Sequence, residues 1–234
     1  MERQMKFFTV AMCGFLSLTP SLSWSGTPTD ETFICPVGGE QFTITGTLSC
    51  STQGRTMSFR PVTSCDFVTR LPICPTNGLP VYQEFSDEQV SELEVFLETP
   101  DFAQLKQLPA WQRAYGVAEH LGQSGTATSF GLLLSFMWYE FEDFIKNDDI
   151  LEQFLAEADG ELERASEADK PFLEAIVGYV LMASDRIEEA EVRLTRASEA
   201  PDAPDFLLQY ISAVRACQPN MEIEGCRPHD RFDP

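Results

Sequence analysis

The chain has 234 residues, of which 16 are basic and 37 are acidic, so its formal net charge is −21. This acidity disfavours binding to nucleic acid and to anionic lipid surfaces, because both carry negative charge themselves. The length allows one medium domain or two small ones.

The first 25 residues have the pattern of a secretory signal peptide. Arg3 and Lys6 precede an apolar run over residues 7–18, and the small residue Ser25 comes just before Gly26. A basic start, a short apolar segment and small residues at the end are the features of a cleaved export signal. We therefore expect cleavage near Ser25 and a mature protein that is periplasmic or secreted.

Two other interpretations of this segment stay open. A lipoprotein signal at Cys13 would need a small residue before the cysteine, where the bulky Met12 stands. An uncleaved membrane anchor would need a longer apolar stretch than residues 7–18 provide. The sequence predicts no membrane span in the mature chain.

Six of the seven cysteines remain in the mature chain. They are Cys35, Cys50, Cys65, Cys74, Cys217 and Cys226. An even number of cysteines behind an export signal predicts disulfide bonds in an oxidising compartment. Cys217 and Cys226 are close in sequence, so we expect them to pair, because a short loop closes at low entropic cost.

Two similar sequences bracket the first four cysteines. Residues 33–39 read FICPVGG, and residues 72–78 read PICPTNG. Each resembles a zinc-ribbon knuckle, in which Cys-Pro-x-Cys-Gly folds two thiolates onto one metal ion. Gly38 and Asn77 stand where the second cysteine of each knuckle would be, and neither is a normal zinc ligand.

The knuckles of a zinc ribbon face each other, and this resemblance implies that Cys35 and Cys74 are neighbours. Export would then favour a Cys35–Cys74 disulfide in place of the metal, with Cys50 and Cys65 forming the second pair. The alternative is a zinc site built from all four thiolates, although no Cys-x-x-Cys pair is present to pre-form it. A thiol oxidoreductase would need the same missing motif.

Residues 26–85 are predicted to form a small β head. Short runs at residues 41–45, 57–60 and 67–68 have the β-branched and aromatic composition of strands. A sheet of this size is too small to be stable on apolar burial alone, so we expect the disulfides to hold it together.

Residues 86–219 are predicted to form an α-helical domain. Ser86 is the expected N-cap of its first helix, with Gln89 completing a capping box. Further helices are expected over residues 100–107 and from Pro109 to the breaker Gly122.

The most apolar stretch of the body is residues 126–145, TATSFGLLLSFMWYEFEDFI. We predict one helix with Thr126 as its N-cap, and its first half is apolar on every face. It is too short and too mixed to span a bilayer comfortably, so it should be a buried rod covered by its neighbours. Leu133, Phe136 and Trp138 are the expected core residues.

The acidic helix expected over residues 148–166 has an apolar stripe, and Gly160 could kink or divide it. Its acidic residues predict a solvated helix face, because the oxygen spacing of a calcium-binding loop is missing. They are Asp148, Asp149, Glu152, Glu157 and Asp159.

Residues 171–201 resemble one tetratricopeptide repeat, whose unit is a pair of antiparallel helices. Small residues at Gly178, Ala190 and Ala197 would let the two helices approach closely, while Glu174 replaces the usual aromatic residue. A capping helix is expected over residues 203–217, followed by a tail over residues 220–234, of which residues 227–234 are polar and expected to be loose.

As a whole, the chain resembles an uncharacterised family of bacterial proteins that join a CPxxG…CPxNG head to a tetratricopeptide-like helical tail. The resemblance spans about residues 33–200, and its most specific part is Cys74-Pro75-x-Asn77-Gly78 followed by Tyr82 and residues 85–88. It implies no known activity, catalytic residue or cofactor.

The expected fold is therefore α+β and mainly α, with a small disulfide-linked head and a helical-hairpin body. The expected function is that of an exported, non-enzymatic protein-interaction or scaffold protein of the bacterial cell envelope. The two histidines, His120 and His229, lie near no nucleophile motif, which disfavours catalysis. The alternatives are a zinc-binding head and a hydrolase that uses paired carboxylates.

Overall fold

The computed structural model describes residues 26–218 and 220–232. The predicted signal peptide, residues 1–25, lies outside the described residues. The strands are β1 Thr27–Ile34, β2 Gln41–Ser49, β3 Thr52–Thr56, β4 Pro61–Thr63 and β5 Arg231–Phe232. The helices are α1 Asp87–Phe96, α2 Pro100–Leu105, α3 Ala110–His120, α4 Ala127–Tyr139, α5 Phe141–Ile145, α6 Asp148–Arg164, α7 Lys170–Ala183, α8 Ile187–Ser198 and α9 Asp205–Ala216. The predicted class, α+β and mainly α, is confirmed.

The helix starts follow local capping chemistry. Ser86 and Gln89 form the predicted capping box at α1, with each side chain bonded to the other residue's backbone N–H. Thr126 is the N-cap of α4, as predicted, and Ser129 completes a second capping box there. The acidic helix α6 runs through Gly160 without a break.

The predicted single helix over residues 126–145 is wrong, because the chain breaks at Glu140 between α4 and α5. Glu140 has φ −134° and ψ 42°, which is not helical. Its carboxylate oxygens accept hydrogen bonds from the backbone N–H groups of Ala110 and Trp111, each at 3.2 Å. Glu140 therefore caps the start of α3, whose own N-cap position, Pro109, makes no side-chain cap.

Leu133 and Phe136 are fully buried, as predicted. Trp138 is only half-buried. Its indole Nε1–H donates a 2.9 Å hydrogen bond to the carbonyl of Ser58 in the head. The position of Trp138 thus follows from a polar contact at the rim of the core, which its place in an apolar run did not reveal.

Helices α7 and α8 form the predicted hairpin. A Cβ on Gly178 would lie 2.5 Å from a methyl carbon of Leu194, so a larger residue there would force the Leu194 side chain to move. The turn between them has Asp185 at φ 61°. Glu174 pairs with Arg193 at 3.1 Å, which explains a charged residue at that position.

The head forms two small antiparallel sheets, β1–β2 and β4–β3–β5. The predicted strand at residues 57–60 is wrong, because these residues form the turn between β3 and β4, and residues 67–68 are not a strand either. Hydrophobic packing crosses the predicted domain boundary, since Met57, Phe59 and Leu71 belong to the same buried cluster as the helices.

The C-terminal tail is ordered over residues 220–232, which corrects the expectation of a loose segment. Phe232 is buried against the rings of Phe206 and Tyr210, with ring centroids 5.3 and 5.5 Å away. Its strand, β5, pairs with β3 and completes the three-stranded sheet.

Candidate functional site

The two knuckles face each other, as predicted, and Cys35 is bonded to Cys74 with a Cα–Cα distance of 5.6 Å. The backbone pattern is the same in both. The Cys35 N–H donates to the Glu40 carbonyl, and the Cys74 N–H donates to the Leu79 carbonyl, at 2.8 and 2.9 Å. A second bond, from Gly39 to Cys35 and from Gly78 to Cys74, closes each loop at 3.2 and 2.9 Å.

The residues that replace the second zinc ligand of each knuckle have backbone and bridging roles. Gly38 has φ +88°, a conformation that favours glycine. The Asn77 side chain accepts a hydrogen bond from the Leu79 N–H at 2.9 Å and donates to the Val37 carbonyl at 3.2 Å. Asn77 therefore links the second knuckle to the first beside the disulfide.

The Cys217–Cys226 bond is also present, with a Cα–Cα distance of 5.6 Å. The buried hydroxyl of Tyr179 donates to the carbonyl of Cys226 at 3.1 Å. The disulfide and this hydrogen bond together fix the segment after α9 against α7.

The predicted Cys50–Cys65 bond is not formed. Cys65 is buried, and its sulfur lies 3.5 Å from the Ser49 carbonyl and 3.7 Å from the Thr47 hydroxyl. Cys50 is exposed instead. The Cys65 thiol thus packs against the end of β2, whereas the Cys50 side chain faces solvent.

The same arrangement leaves only two of the four cysteines of the alternative zinc site as free thiols. Two of them are bonded to each other, and a third is buried against β2. Among the described residues, no group of three or more His, Cys, Asp or Glu side chains is placed to hold a metal ion.

The turn over residues 56–60, between β3 and β4, inserts into the helical body. The Tyr210 hydroxyl donates to the Met57 carbonyl at 2.6 Å, and Trp138 donates to the next carbonyl, that of Ser58. Phe59 has φ 65°, which is strained for a bulky side chain. Its ring lies edge-on to that of Tyr210, with the centroids 4.8 Å apart.

This insertion creates an open cleft of about 640 Å³ between the turn and helices α4, α6, α7 and α9. We call it the aromatic cleft, because five of its side chains are aromatic. Its lining residues are Arg55, Phe59, Phe130, Leu134, Trp138, Glu161, Ala165, Asp169, Phe172, Leu173, Ile176 and Phe206. A largely apolar cleft with a few polar groups is the usual form of a ligand or peptide site.

Charges of both signs line the aromatic cleft. Glu161 pairs with Arg164 at 2.7 Å, and Asp169 accepts a hydrogen bond from the Ser166 hydroxyl at 2.6 Å. Both carboxylates thus have local partners, so neither is placed as a free acid or base for the hydrolase alternative.

Arg55 differs from these two carboxylates, because it forms no ion pair with any carboxylate of the described chain. Its guanidinium lies over the Phe59 ring, 5.1 Å from the centroid, and donates to the Phe59 carbonyl at 3.4 Å. Partial burial of the Arg55 guanidinium lowers its pKa, because burial disfavours the charged form. An unpaired, partly dehydrated arginine is well suited to bind a carboxylate.

A second cleft, of about 690 Å³, continues beyond Phe172, whose ring lines both. It contains Lys170 and Arg196 together with Glu167 and Glu174. The two clefts together form a groove along the start of α7, which suits an extended chain better than a compact small molecule.

The two histidines take no part in these clefts. His120 stacks on Phe96, with ring centroids 3.6 Å apart, and its Nε2 lies 3.5 Å from a carboxylate oxygen of Glu92. His229 lies in the loop before β5. His120 therefore packs at a helix end, as is common for a histidine near an apolar face.

Comparison of the chain with protein families, with curated proteins and with solved structures found no match. The resemblance to bacterial proteins with a cysteine head and a tetratricopeptide-like tail therefore stays a prediction. Within residues 26–218 and 220–232, no helix is long and apolar enough to cross a membrane.

Proposed function

We propose that this chain is an exported protein-interaction or scaffold protein of the bacterial cell envelope, and that it binds its partner in the aromatic cleft. The disulfides and the predicted signal peptide support export, because such bonds persist outside the reducing cytoplasm. The helical hairpins support a binding role, since stacked helix pairs commonly present a surface to a protein partner.

The aromatic cleft is the observation that carries this proposal. Three of its aromatic side chains, Trp138, Phe172 and Phe206, are only half-buried although they lie on ordered helices. Aromatic residues and arginine at a concave surface are the side chains that contribute most to protein binding. The rings would become fully buried only when a partner covers them.

The expected ligand is an extended segment of a partner protein. An aromatic or aliphatic side chain of the segment would pack between Trp138 and Phe172. A carboxylate next to it would pair with Arg55, which has no ion-pair partner within the described chain. The neighbouring cleft beyond Phe172 would hold the rest of the segment.

Selection of displayed random peptides against the disulfide-intact protein tests this chemistry. We expect enriched peptides to place an aromatic or aliphatic residue beside Asp or Glu. In fluorescence anisotropy, Arg55→Ala and Phe172→Ala should each weaken their binding about tenfold or more. Val192→Ala is the matched control, because Val192 is 50% exposed on α8 and lines neither cleft.

Peptides that lack this pattern, or that bind Arg55→Ala and wild type equally, would contradict the proposed ligand. Binding that weakens with Val192→Ala as much as with Phe172→Ala would move the site away from the aromatic cleft.

A further inference from the structure

The outer edge of β1 pairs with no strand among the described residues. The Cys35 N–H donates to the Glu40 carbonyl, so Cys35 bonds to β2's side of the hairpin. Residues of an antiparallel strand alternately bond to the partner strand and point away from it, so this bond fixes which residues of β1 point outward. In the register Ile34↔Gln41 to Pro28↔Thr47, every second residue of β1 directs its backbone groups away from β2. These residues are Pro28, Asp30, Thr32 and Ile34.

None of these outward groups takes part in a backbone hydrogen bond among the described residues. All four residues are also exposed to solvent. Three N–H donors and four carbonyl acceptors therefore form an unpaired row, since proline contributes no donor.

The outer edge of β2, on the opposite side of the hairpin, does have a hydrogen-bonding partner. On β2, the outward N–H of Thr45 donates to the Thr69 hydroxyl at 3.1 Å, and the Thr45 carbonyl accepts from the Thr69 N–H at 2.7 Å. The segment after β4 thus pairs with the middle of β2, whereas no described residue pairs with the outer edge of β1. An open strand edge is a template for pairing with another strand.

The edge is also held in a fixed position. Cys35 follows directly after Ile34 and is bonded to Cys74. Phe33 and Phe42, on the same face of the hairpin, pack against a buried cluster that contains the Cys35–Cys74 bond and residues of α1, α2 and α3. A strand that is ordered in advance loses little entropy when it pairs.

From these observations we infer that β1 binds an extended, basic segment of a second protein by strand addition. The backbone edge specifies an extended chain, because only a strand can satisfy a row of alternating donors and acceptors. This surface is separate from the aromatic cleft, since no β1 residue lines that cleft.

The negative charge of β1 and of the whole chain favours a basic partner. Asp30 and Glu31 are exposed on β1, and neither forms an ion pair within the described chain. The whole chain has a net charge of −21. A second copy would bring two acidic strands together, whereas lysine or arginine on the added strand would face Asp30 on one side of the sheet or Glu31 on the other with the opposite charge.

The test uses a synthetic probe, the capped octapeptide with alternating basic and β-forming residues, acetyl-KTKVKTKV-amide. Amide hydrogen exchange of the disulfide-intact protein is measured with and without it. Exchange at Asp30, Thr32 and Ile34 should slow about tenfold or more at saturation. The amides of Glu31 and Phe33, which bond within the hairpin, serve as internal references.

Two matched controls isolate backbone pairing. Thr32→Pro removes the central outward donor and leaves the β1–β2 bonds intact, because proline is tolerated at a strand edge. It should weaken peptide binding about tenfold or more, while Thr32→Val should bind like wild type. A peptide methylated at every backbone nitrogen has no donor on either edge and should also bind weakly, and this control does not depend on the variant folding.

Three results would overturn the inference. The first is peptide binding without slower exchange at Asp30, Thr32 and Ile34. The second is equal binding of the N-methylated and unmodified peptides. The third is a dimer of the protein alone, with protection of β1, in sedimentation and exchange experiments, which would assign the edge to a second copy.

Discussion

The helical body and the β1–β2 hairpin are held in place by different forces. Leu133, Phe136 and Phe154 lie in the body with no exposed surface, each contributing about 1.5–3 kcal/mol through burial. In the hairpin most side chains are exposed, and Ile34 and Leu48 are 57% and 75% accessible. The body is thus stabilised by apolar burial, whereas the hairpin depends on the Cys35–Cys74 bond.

The largest effect is expected from Leu133→Asp in the body. It removes a buried side chain and places an unpaired carboxylate in an apolar interior, which should cost more than about 5 kcal/mol and unfold the domain. Circular dichroism during urea unfolding measures this. Val192→Asp, at an exposed position of α8, should leave the midpoint close to wild type.

If Leu133→Asp unfolded at the same urea concentration as wild type, α4 would not be the buried helix that organises the body.

The second effect concerns the hairpin, through the double variant Cys35→Ser, Cys74→Ser. The bond closes a loop with a sequence separation of 39, so its loss should destabilise the head by about 4 kcal/mol in the chain-entropy model. We expect faster amide exchange in β1 and β2 and an unchanged helical signal. Helix melting in step with the hairpin would show that the two regions are one cooperative unit.

The Cys217–Cys226 bond is the comparison for that variant. It closes a loop with a separation of only 9, so Cys217→Ser with Cys226→Ser should cost less, about 2–3 kcal/mol. Urea unfolding of the two double variants side by side measures the difference. An equal or larger cost at Cys217–Cys226 would contradict the dependence on loop length.

A smaller effect is expected from Tyr210→Phe, at the contact between the head and the body. The variant leaves the Met57 carbonyl without its buried donor, at a cost of about 1–2 kcal/mol. Exchange at residues 56–60 should become faster while β1 and β2 are unaffected. Faster exchange in β1 instead would mean that the turn also positions the hairpin.

The smallest effect is the pH dependence that arises from Glu140. Burial raises the pKa of this carboxyl above its ordinary value of 4.5. Because the folded state holds the proton more tightly, this contribution to stability is complete below the ordinary pKa and is lost as the pH rises through the raised pKa.

Glu140→Gln should therefore flatten the stability curve just above pH 4.5, by less than about 1 kcal/mol because the side chain is only half-buried. Urea unfolding from pH 4 to pH 7 checks this. A curve for Glu140→Gln that is as steep as that of wild type would assign the slope to other groups.

Features that depend on local chemistry could be predicted from the sequence. The caps at Ser86 and Thr126 follow from side chains that bond their own backbone. The Cys35–Cys74 bond followed from two matching knuckle sequences. In each case the determining atoms lie within a few residues or within a recognisable pattern.

Features that depend on distant partners could not be predicted. The break at Glu140 exists because α3 needs its carboxylate as a cap, about 30 residues away in sequence. The end of the tail is placed by the burial of Phe232 against α9, which the mainly polar sequence of residues 227–232 did not reveal. β1 escaped prediction because its sequence, TPTDETFI, contains a proline and two acids and lacks apolar alternation.

The aromatic cleft itself was also not predicted. Its existence depends on the turn at residues 57–60, which was predicted to be a strand from its composition. The strained backbone of Phe59 and the contact between Trp138 and Ser58 become visible only in three dimensions. Arg55 therefore had no sequence signal that marked it as a binding residue.

The measurement that most directly tests the aromatic cleft as a partner site is photo-cross-linking in intact cells. A benzophenone amino acid replaces Leu134 in the cleft or, as the control, Val192 on α8. We expect a discrete adduct with an envelope protein from position 134 only, and its loss when Arg55→Ala is added. Adducts of the same pattern from both positions, or an adduct that persists with Arg55→Ala, would contradict the proposed partner site.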